Sequence, residues 1–414
     1  MRIIHAADLH IDSQLSGLSS ALADHADADL ISGATRSAFR GLIDWAITEQ
    51  PDALVLAGDI FDGSWKHTGT RRVFVEGMRD LADAGIPVVM ASGNHDAASV
   101  LMAEVIYPPS MHVLSVESAE TLRLDDAGLS FHGQGYATPA IEHSLAAHYP
   151  LPDPGLVNIG VLHANVGGSS GHDNYSPCTA DDLRSLDYSY VALGHVHARR
   201  SFLDGQRTFA AYPGNLQGRS VRETGPKGAL LVDLADPRAP HVQFQPLDVL
   251  RWEVIEVDAT DPARPMSSAD DVLAAIAADH QQLRAHSGSL PLIVRTRITA
   301  DPRLLGALRA SEELTELVRD VVAGSTLEKV TLHRAPHEES DAPVVDAALR
   351  AELERAIDDL APGEASALLT EVRTRTQALL RDSGVDLSSS TALSALIAEA
   401  GQELLDELSA GDTP

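Results

Sequence analysis

The stretch Arg2-Ile3-Ile4-His5-Ala6-Ala7-Asp8-Leu9-His10 reads as an apolar, β-branched run that stops abruptly at two side chains able to ligate a metal. The same pattern recurs four times further along. Ala53 to Ala57 runs into Gly58-Asp59, Val88 to Ser92 into Gly93-Asn94-His95-Asp96, Val157 to Leu162 into His163, and Tyr190 to Leu193 into Gly194-His195-Val196-His197. Each polar motif therefore falls at the C-terminal end of a buried strand. In a sheet whose strands are joined by helices those ends share one edge, the usual place for a ligand in an α/β fold. Residues far apart in sequence converge there.

What converges is carboxylate, carboxamide and imidazole, with no thiolate: Asp8, Asp59 and Asn94 with His10, His163, His195 and His197. That donor set suits divalent manganese, iron, zinc or magnesium. The set is too large for one ion and fits two that share a bridging carboxylate. Two ions roughly 3.5–4 Å apart can orient a hydroxide, neutralise non-bridging phosphate oxygens and stabilise both oxygens of an in-line displacement. The implied reaction is hydrolysis of a phosphoester. Taken singly, each motif has a plainer use. A strand-end Asp can simply bond nearby amides, and Asn94, after Gly93, can be a turn residue. Asp62 and Asp96 read equally as local caps or as supports for ligands. His5, His132, His143, His148 and His172 read as surface or packing residues.

The ordered motifs resemble the calcineurin-like metallophosphoesterase superfamily. More narrowly, Gly58-Asp59-Ile60-Phe61-Asp62, the stretch from Leu162 to Tyr175 and Tyr212-Pro213-Gly214-Asn215-Leu216-Gln217-Gly218-Arg219 resemble SbcD-type bacterial DNA repair exonuclease subunits, nearest their YhaO-like branch. The likeness covers about residues 1–235 and implies an αββα sandwich. It implies one ion held by Asp8, His10 and His197, a second by Asn94, His163 and His195, and Asp59 bridging them. His95 then stands outside both ligand sets and assists the leaving group. Many nucleases of the wider family carry a His where this chain has Asp62. The resemblance further implies DNA as substrate and an SMC-like coiled-coil ATPase of the SbcC/YhaN kind or a second copy of the chain as partner, while the mixture of imidazole and carboxylate without sulfur makes manganese the expected ion.

Composition bounds these expectations. The chain of 414 residues is long enough for two or three domains, and its single cysteine, Cys178, excludes an intramolecular disulfide and a cysteine metal cluster. The first strand begins at once, leaving no room for a signal peptide, and no run approaches the roughly 18 apolar residues of a membrane helix. A cytoplasmic location is the expectation. The net charge of −29 argues against a broad nucleic-acid-binding surface. Basic pairs are few: Arg71-Arg72, Arg199-Arg200, and Arg219 with Arg222. Arg199 and Arg219 follow the fifth motif closely enough to meet a substrate phosphate.

Residues 1–240 thus read as the catalytic domain. From 246 to 336 the pattern suggests a smaller α+β cap domain: strand Trp252 to Val257, helix Ser267 to Ala285 after the start signal Ser267-Ser268-Ala269-Asp270, strand Leu292 to Ile298, helix Ser311 to Val322 and strand Leu327 to His333. Residues 341–414 read as a helical tail with fifteen acids against five arginines, whose apolar face around Leu396, Ile397, Leu404 and Leu405 packs on its own chain or docks the ATPase. The expected protein is a metal-dependent DNA phosphodiesterase. The alternatives are a phosphatase or small-molecule phosphodiesterase of the same superfamily, or a non-catalytic scaffold for the ATPase.

Overall fold

The apolar runs become strands, and their alternation decides what lies on each side. A computed structural model describes residues 1–15, 31–62, 68–98, 106–167, 175–203 and 208–335. Strands β1 (Arg2–Ala6), β2 (Ala53–Ala57), β3 (Val88–Ala91) and β4 (Met111–Val113) are followed by β5 (Glu120–Leu124), β6 (Leu129–Gly133), β7 (Val157–His163) and β8 (Tyr190–Gly194). Then come β9 (Arg200–Phe202), β10 (Phe209–Tyr212), β11 (Gly228–Asp233) and β12 (His241–Pro246). Among the described residues they form two six-stranded sheets, ordered β12-β11-β1-β2-β3-β4 and β5-β6-β7-β8-β10-β9. The central neighbours β1-β2-β3 and β6-β7-β8 are parallel, whereas β11, β12, β5 and β9 pair antiparallel.

One face of each sheet packs on the other. Val55, Ala57, Val89 and Ala91 of the first sheet meet Phe131, Ile159, Val161 and Ala192 of the second in one buried core. The opposite face of the first sheet, including Leu54, Leu56 and Met90, is covered by Phe39, Leu42, Phe74 and Met78. These come from helices α1 (Ala34–Glu49) and α2 (Thr68–Asp83). On the second sheet Leu162, Val191 and Leu193 pack against Leu183 of α4 (Ala180–Ser185), α3 being the short turn Asn94–Ala98. Strands buried on both faces are the reason these runs are continuously apolar. The architecture is the αββα sandwich.

The sheets are also pinned by a polar bridge. His5, fully buried on β1, contacts Tyr190 Oη through Nδ1 at 2.8 Å and Leu193 O through Nε2 at 3.1 Å. Since a carbonyl only accepts, Nε2–H donates to Leu193 and Nδ1 accepts from the tyrosine hydroxyl.

The remaining described chain forms a three-stranded sheet, β13 (Arg251–Asp258), β14 (Leu292–Ala300) and β15 (Thr326–Arg334), in that order, with helices α5 (Ala269–Ser287), α6 (Pro302–Ala310) and α7 (Leu314–Val321). Contacts divide the chain into Met1–Val254 with His286–Arg295 and Gly324–Glu328, and a second unit containing Ile255–Ala285, Thr296–Ala323 and the residues from Lys329 on. The start signal before α5 takes the form of Ser268 Oγ accepting from Asp271 N at 3.2 Å while the Asp271 carboxylate accepts from Ser268 N at 3.0 Å. The helix expected from Ser311 to Val322 is α7, and a further helix precedes it. The earlier one, α6, starts because Asp301 accepts from Leu304 N at 2.9 Å and Pro302 occupies the first turn. The tail 341–414 and His172 lie outside the described residues. No helix among the described residues is long and apolar enough to cross a membrane.

Candidate metal centre

Turns rather than strands carry most of the motif residues, and those turns are tight. Asp8, His10, Asp59 and His195 all sit at positive φ (52°, 42°, 53° and 103°), a region costly for residues with a Cβ. Such strain persists only where the surroundings over-determine it. Here the turns hold one another: Asp8 N donates to Gly58 O at 3.0 Å, His10 N to Asp59 O at 3.1 Å, and Ile11 N to Ile60 O at 3.0 Å. The buried Asp96 adds a second brace between turns, accepting from Gly93 N (2.9 Å), Ile60 N (2.9 Å) and Phe61 N (3.1 Å). Two glycines are required by close approach. A Cβ on Gly58, itself at φ +92°, would lie 2.3 Å from His163 Nδ1, and one on Gly194 would lie 1.8 Å from Ala57 O.

Two groups of donor atoms gather at the shared strand edge. Asp8, His10 and His197 form one and Asp8, Asp59 and His163 the other, with all atoms in each group within 4.8 Å of one another. Asp59 Oδ2 also reaches both sides, 3.4 Å from His163 Nε2 and 3.9 Å from His10 Nε2. Asn94 Oδ1 joins the second group at 3.0 Å from His163 Nε2. His195 belongs to neither group. Its ring lies edge-on to His163 with centroids 5.3 Å apart, while its backbone N–H donates to both Asp8 oxygens at 3.0 and 3.1 Å.

The protonation pattern shows what the edge lacks. His163 Nδ1 faces Ala57 O at 2.9 Å and must donate to it, so in the neutral ring Nε2 turns a lone pair toward Asp59 and Asn94. His197 Nδ1 likewise donates to Glu223 Oε1 at 2.6 Å, leaving its Nε2 lone pair 3.3 Å from His10 Nε2. His10 Nδ1 is buried without a partner. In that neutral ring the His163 Nε2 lone pair faces the oxygens of Asp59 and Asn94, acceptor to acceptor across buried space, an arrangement a cation satisfies. The titration directions agree. Burial would depress the His163 imidazole, but the Asp59 charge and hydrogen bond push it up to about 9. Burial raises Asp8 to about 6 despite the nearby imidazoles, and burial together with the Asp59 charge raises Asp96 to about 7. Asp59 is held well below the ordinary carboxylate range, burial being outweighed by His163, His10 and His95. The donor set, its lone pairs and its charge fit divalent metal ions.

At the rim, His95 is 40% exposed, with its ring 4.9 Å from that of His10. Its Nδ1 pairs with Asp62 at 3.3 Å, and this bond raises the imidazole's proton affinity while holding Asp62 well down. Asp62 thereby gains a role that sequence left open. Ser13 Oγ donates to the other Asp62 oxygen at 3.1 Å, and Arg219 Nη1 donates to Ser13 Oγ at 3.3 Å. Arg199 turns elsewhere, its guanidinium 4.1 Å from the Phe244 ring centroid.

Sequence reasoning missed Glu223. Besides His197 it accepts from Asn215 Nδ2 at 2.9 Å and from Arg219 N at 2.6 Å. Burial would raise its carboxyl, but His197 and Arg219 hold it well below the usual range. Lys227 Nζ completes the setting by donating to His197 O at 3.0 Å. The only signal was the closeness of Glu223 to Arg219, since a lone Glu in a loop belongs to no motif.

Fold and edge together define an α/β sandwich whose strand edge fits divalent metal ions. Residues 1–199 match the calcineurin-like phosphoesterase family, a family that uses a dimetal centre. The chain is 33% identical over 267 residues to the uncharacterized metallophosphoesterase YhaO of Bacillus subtilis (strain 168), across 63% of this chain and 64% of that protein. It is 27% identical over 289 residues to the SbcD component of the nuclease SbcCD of Staphylococcus saprophyticus, across 63% and 73%. To the DNA double-strand break repair protein Mre11 of Sulfurisphaera tokodaii it is 26% identical over 275 residues, across 63% and 66%. The matched stretch therefore spans less than two thirds of the YhaO chain.

Proposed function

We propose that the protein is a two-metal DNA phosphodiesterase, an exonuclease subunit that works with an SMC-like coiled-coil ATPase. The reading is carried by the gathering of ligand atoms from Asp8, His10, Asp59, Asn94, His163 and His197 at one strand edge. The nuclease and break-repair names of two relatives favour DNA over a phosphomonoester. Asp8, His10 and His197 would hold one ion, Asn94, His163 and His195 the other, and Asp59 would serve both. Bound there, divalent ions neutralise phosphate charge and lower the pKa of water. The chain's own residues do the rest. Asp62 accepts from His95 Nδ1, so the opposite nitrogen of the protonated ring carries the proton that the departing 3′ oxygen needs. Glu223, Asn215 and Lys227 fix the turn that presents His197.

Elemental analysis with manganese titration, followed by cleavage of frayed duplex DNA and of p-nitrophenyl phosphate, tests this. Two ions per chain and manganese-dependent DNA cleavage are expected, and saturation at one ion defeats the two-metal reading. Monoester hydrolysis without DNA cleavage makes the protein a phosphatase. Co-purification of the full chain with the ATPase, lost in a chain ending at residue 340, tests the partner.

A further inference from the structure

Away from the metal edge, the β9–β10 pair of one sheet and the β11–β12 pair of the other line an open cavity of about 500 Å³. That size falls within the roughly 300–1,000 Å³ of small-ligand sites. The chemistry of its walls is unusual for this chain. Acids outnumber lysine and arginine 60 to 31 overall, yet none of the residues lining the cavity is acidic. Arg199 and Arg200 both reach it. Elsewhere arginines are spent on carboxylates, as in Arg36 with Asp12, Arg251 with Asp248 and Arg295 with Glu328. Among the described residues, neither Arg199 nor Arg200 has such a partner. Each guanidinium rests instead over an aromatic ring, 4.1 Å from the Phe244 centroid and 4.6 Å from that of Phe202. Ring stacking fixes the cation and leaves its N–H groups unspent.

The floor is apolar. Phe209, Ala211 and Leu230 present buried surface to the cavity, and His241 stands exposed at its rim. Two stacked guanidiniums beside an aromatic, acid-free floor make a site for an anion attached to a flat apolar body. We infer that this cavity binds a nucleotide unit, its phosphate on Arg199 and Arg200 and its base against the aromatic wall. Basic groups with aromatic platforms are how proteins hold nucleotides without reading their sequence. The unit is either a free mononucleotide or one residue of a single strand. The site stands on its own walls and does not depend on what the metal edge hydrolyses.

The test is calorimetric titration of the full chain, kept in a chelator so that the metal edge cannot capture phosphate. The probes are dTMP, thymidine, inorganic phosphate and the single strand (dT)6. Saturable binding of dTMP at one per chain is expected, with thymidine and inorganic phosphate each weaker by about tenfold or more. Arg200→Glu is expected to weaken dTMP by a similar factor, Arg200→Lys by less, and Phe244→Leu to reduce the advantage of dTMP over phosphate. Tighter binding of (dT)6 than of dTMP assigns a strand and the reverse a free nucleotide, and both uphold the site. Absence of saturable dTMP binding overturns the inference, as does dTMP affinity indifferent to Arg200→Glu in a variant whose circular dichroism matches the parent. Equal affinity for dTMP and thymidine overturns the role of the arginines.

Discussion

His5 in the core between the sheets and His163 at their edge are equally buried, each with no exposed surface, yet burial has opposite outcomes for them. In the core nothing opposes desolvation except a carbonyl, and the His5 imidazole falls to about 3. At the edge Asp59 reverses the balance, and His163 rises to about 9. The same ring, at the same depth, is built as a neutral linker in one place and as a seat for positive charge in the other. What separates the two regions is the carboxylates delivered by strained turns, so a cation belongs to the edge and not to the core.

Removing that difference is the harshest test. Asp59→Asn leaves a bond-capable group but takes the charge, making the edge resemble the core. Metal-dependent hydrolysis is expected to vanish, with at least one ion lost per chain by elemental analysis. The next largest effect belongs to His95, which shares the edge's field without its burial. His95→Ala is expected to keep both ions while slowing hydrolysis by about 10²–10⁴-fold, the usual worth of a positioned acid. Loss of an ion from that variant would place His95 among the ligands instead. Glu223 sharpens the comparison from a distance, since it fixes which His197 nitrogen faces the edge. Glu223→Gln is expected to weaken manganese binding by about 10–100-fold in a titration, with the fold unchanged by circular dichroism.

The smallest effect lies in the core. His5 is neutral when folded and has an ordinary value of 6.5 when unfolded, so the unfolded chain binds more protons between those values. Its contribution is complete above pH 6.5 and is lost as pH falls toward about 3. For this one group the loss between pH 7 and pH 5 is about 2 kcal/mol. Urea unfolding in chelator at both pH values should show His5→Gln, which can still bond Tyr190 and Leu193, with a smaller drop than the parent by about that amount.

Much of this was legible in the chain. The five apolar runs ending in polar motifs gave the parallel strands, because a strand buried on both faces must be apolar throughout, while the αββα sandwich was implied by the resemblance to the phosphoesterase superfamily. The gathering of Asp8, His10, Asp59, Asn94, His163 and His197 was legible for the same reason, since parallel strands deliver their C-terminal ends to one side. The supports were not. Glu223 and Ser13 act from loops through contacts of long sequence separation, and no spacing announces them. Ala57 contributes only a carbonyl, which its side chain cannot reveal. The helix Pro302–Ala310 was passed over although Asp301-Pro302 is a local start signal. The pairing of Asp62 with His95 depends on a turn and a short helix meeting, which sequence alone does not show.

The seam between the sheets has a further consequence, for how such a protein can diversify. His5 ties β1 to Leu193, Ala57 takes the His163 hydrogen bond, and Gly194 lets those backbones touch, so the two sheets that carry the halves of the metal edge are aligned by their strands. Loops other than the motif turns and those carrying Ser13, Asn215 and Glu223 then have no duty in keeping the donors in step. Insertions and deletions in them become nearly free experiments on which phosphoester is admitted, while the chemistry beneath stays in tune. By the same token a single methyl group at position 194 would do what many loop changes cannot, wedging the halves apart and silencing every descendant that inherited it.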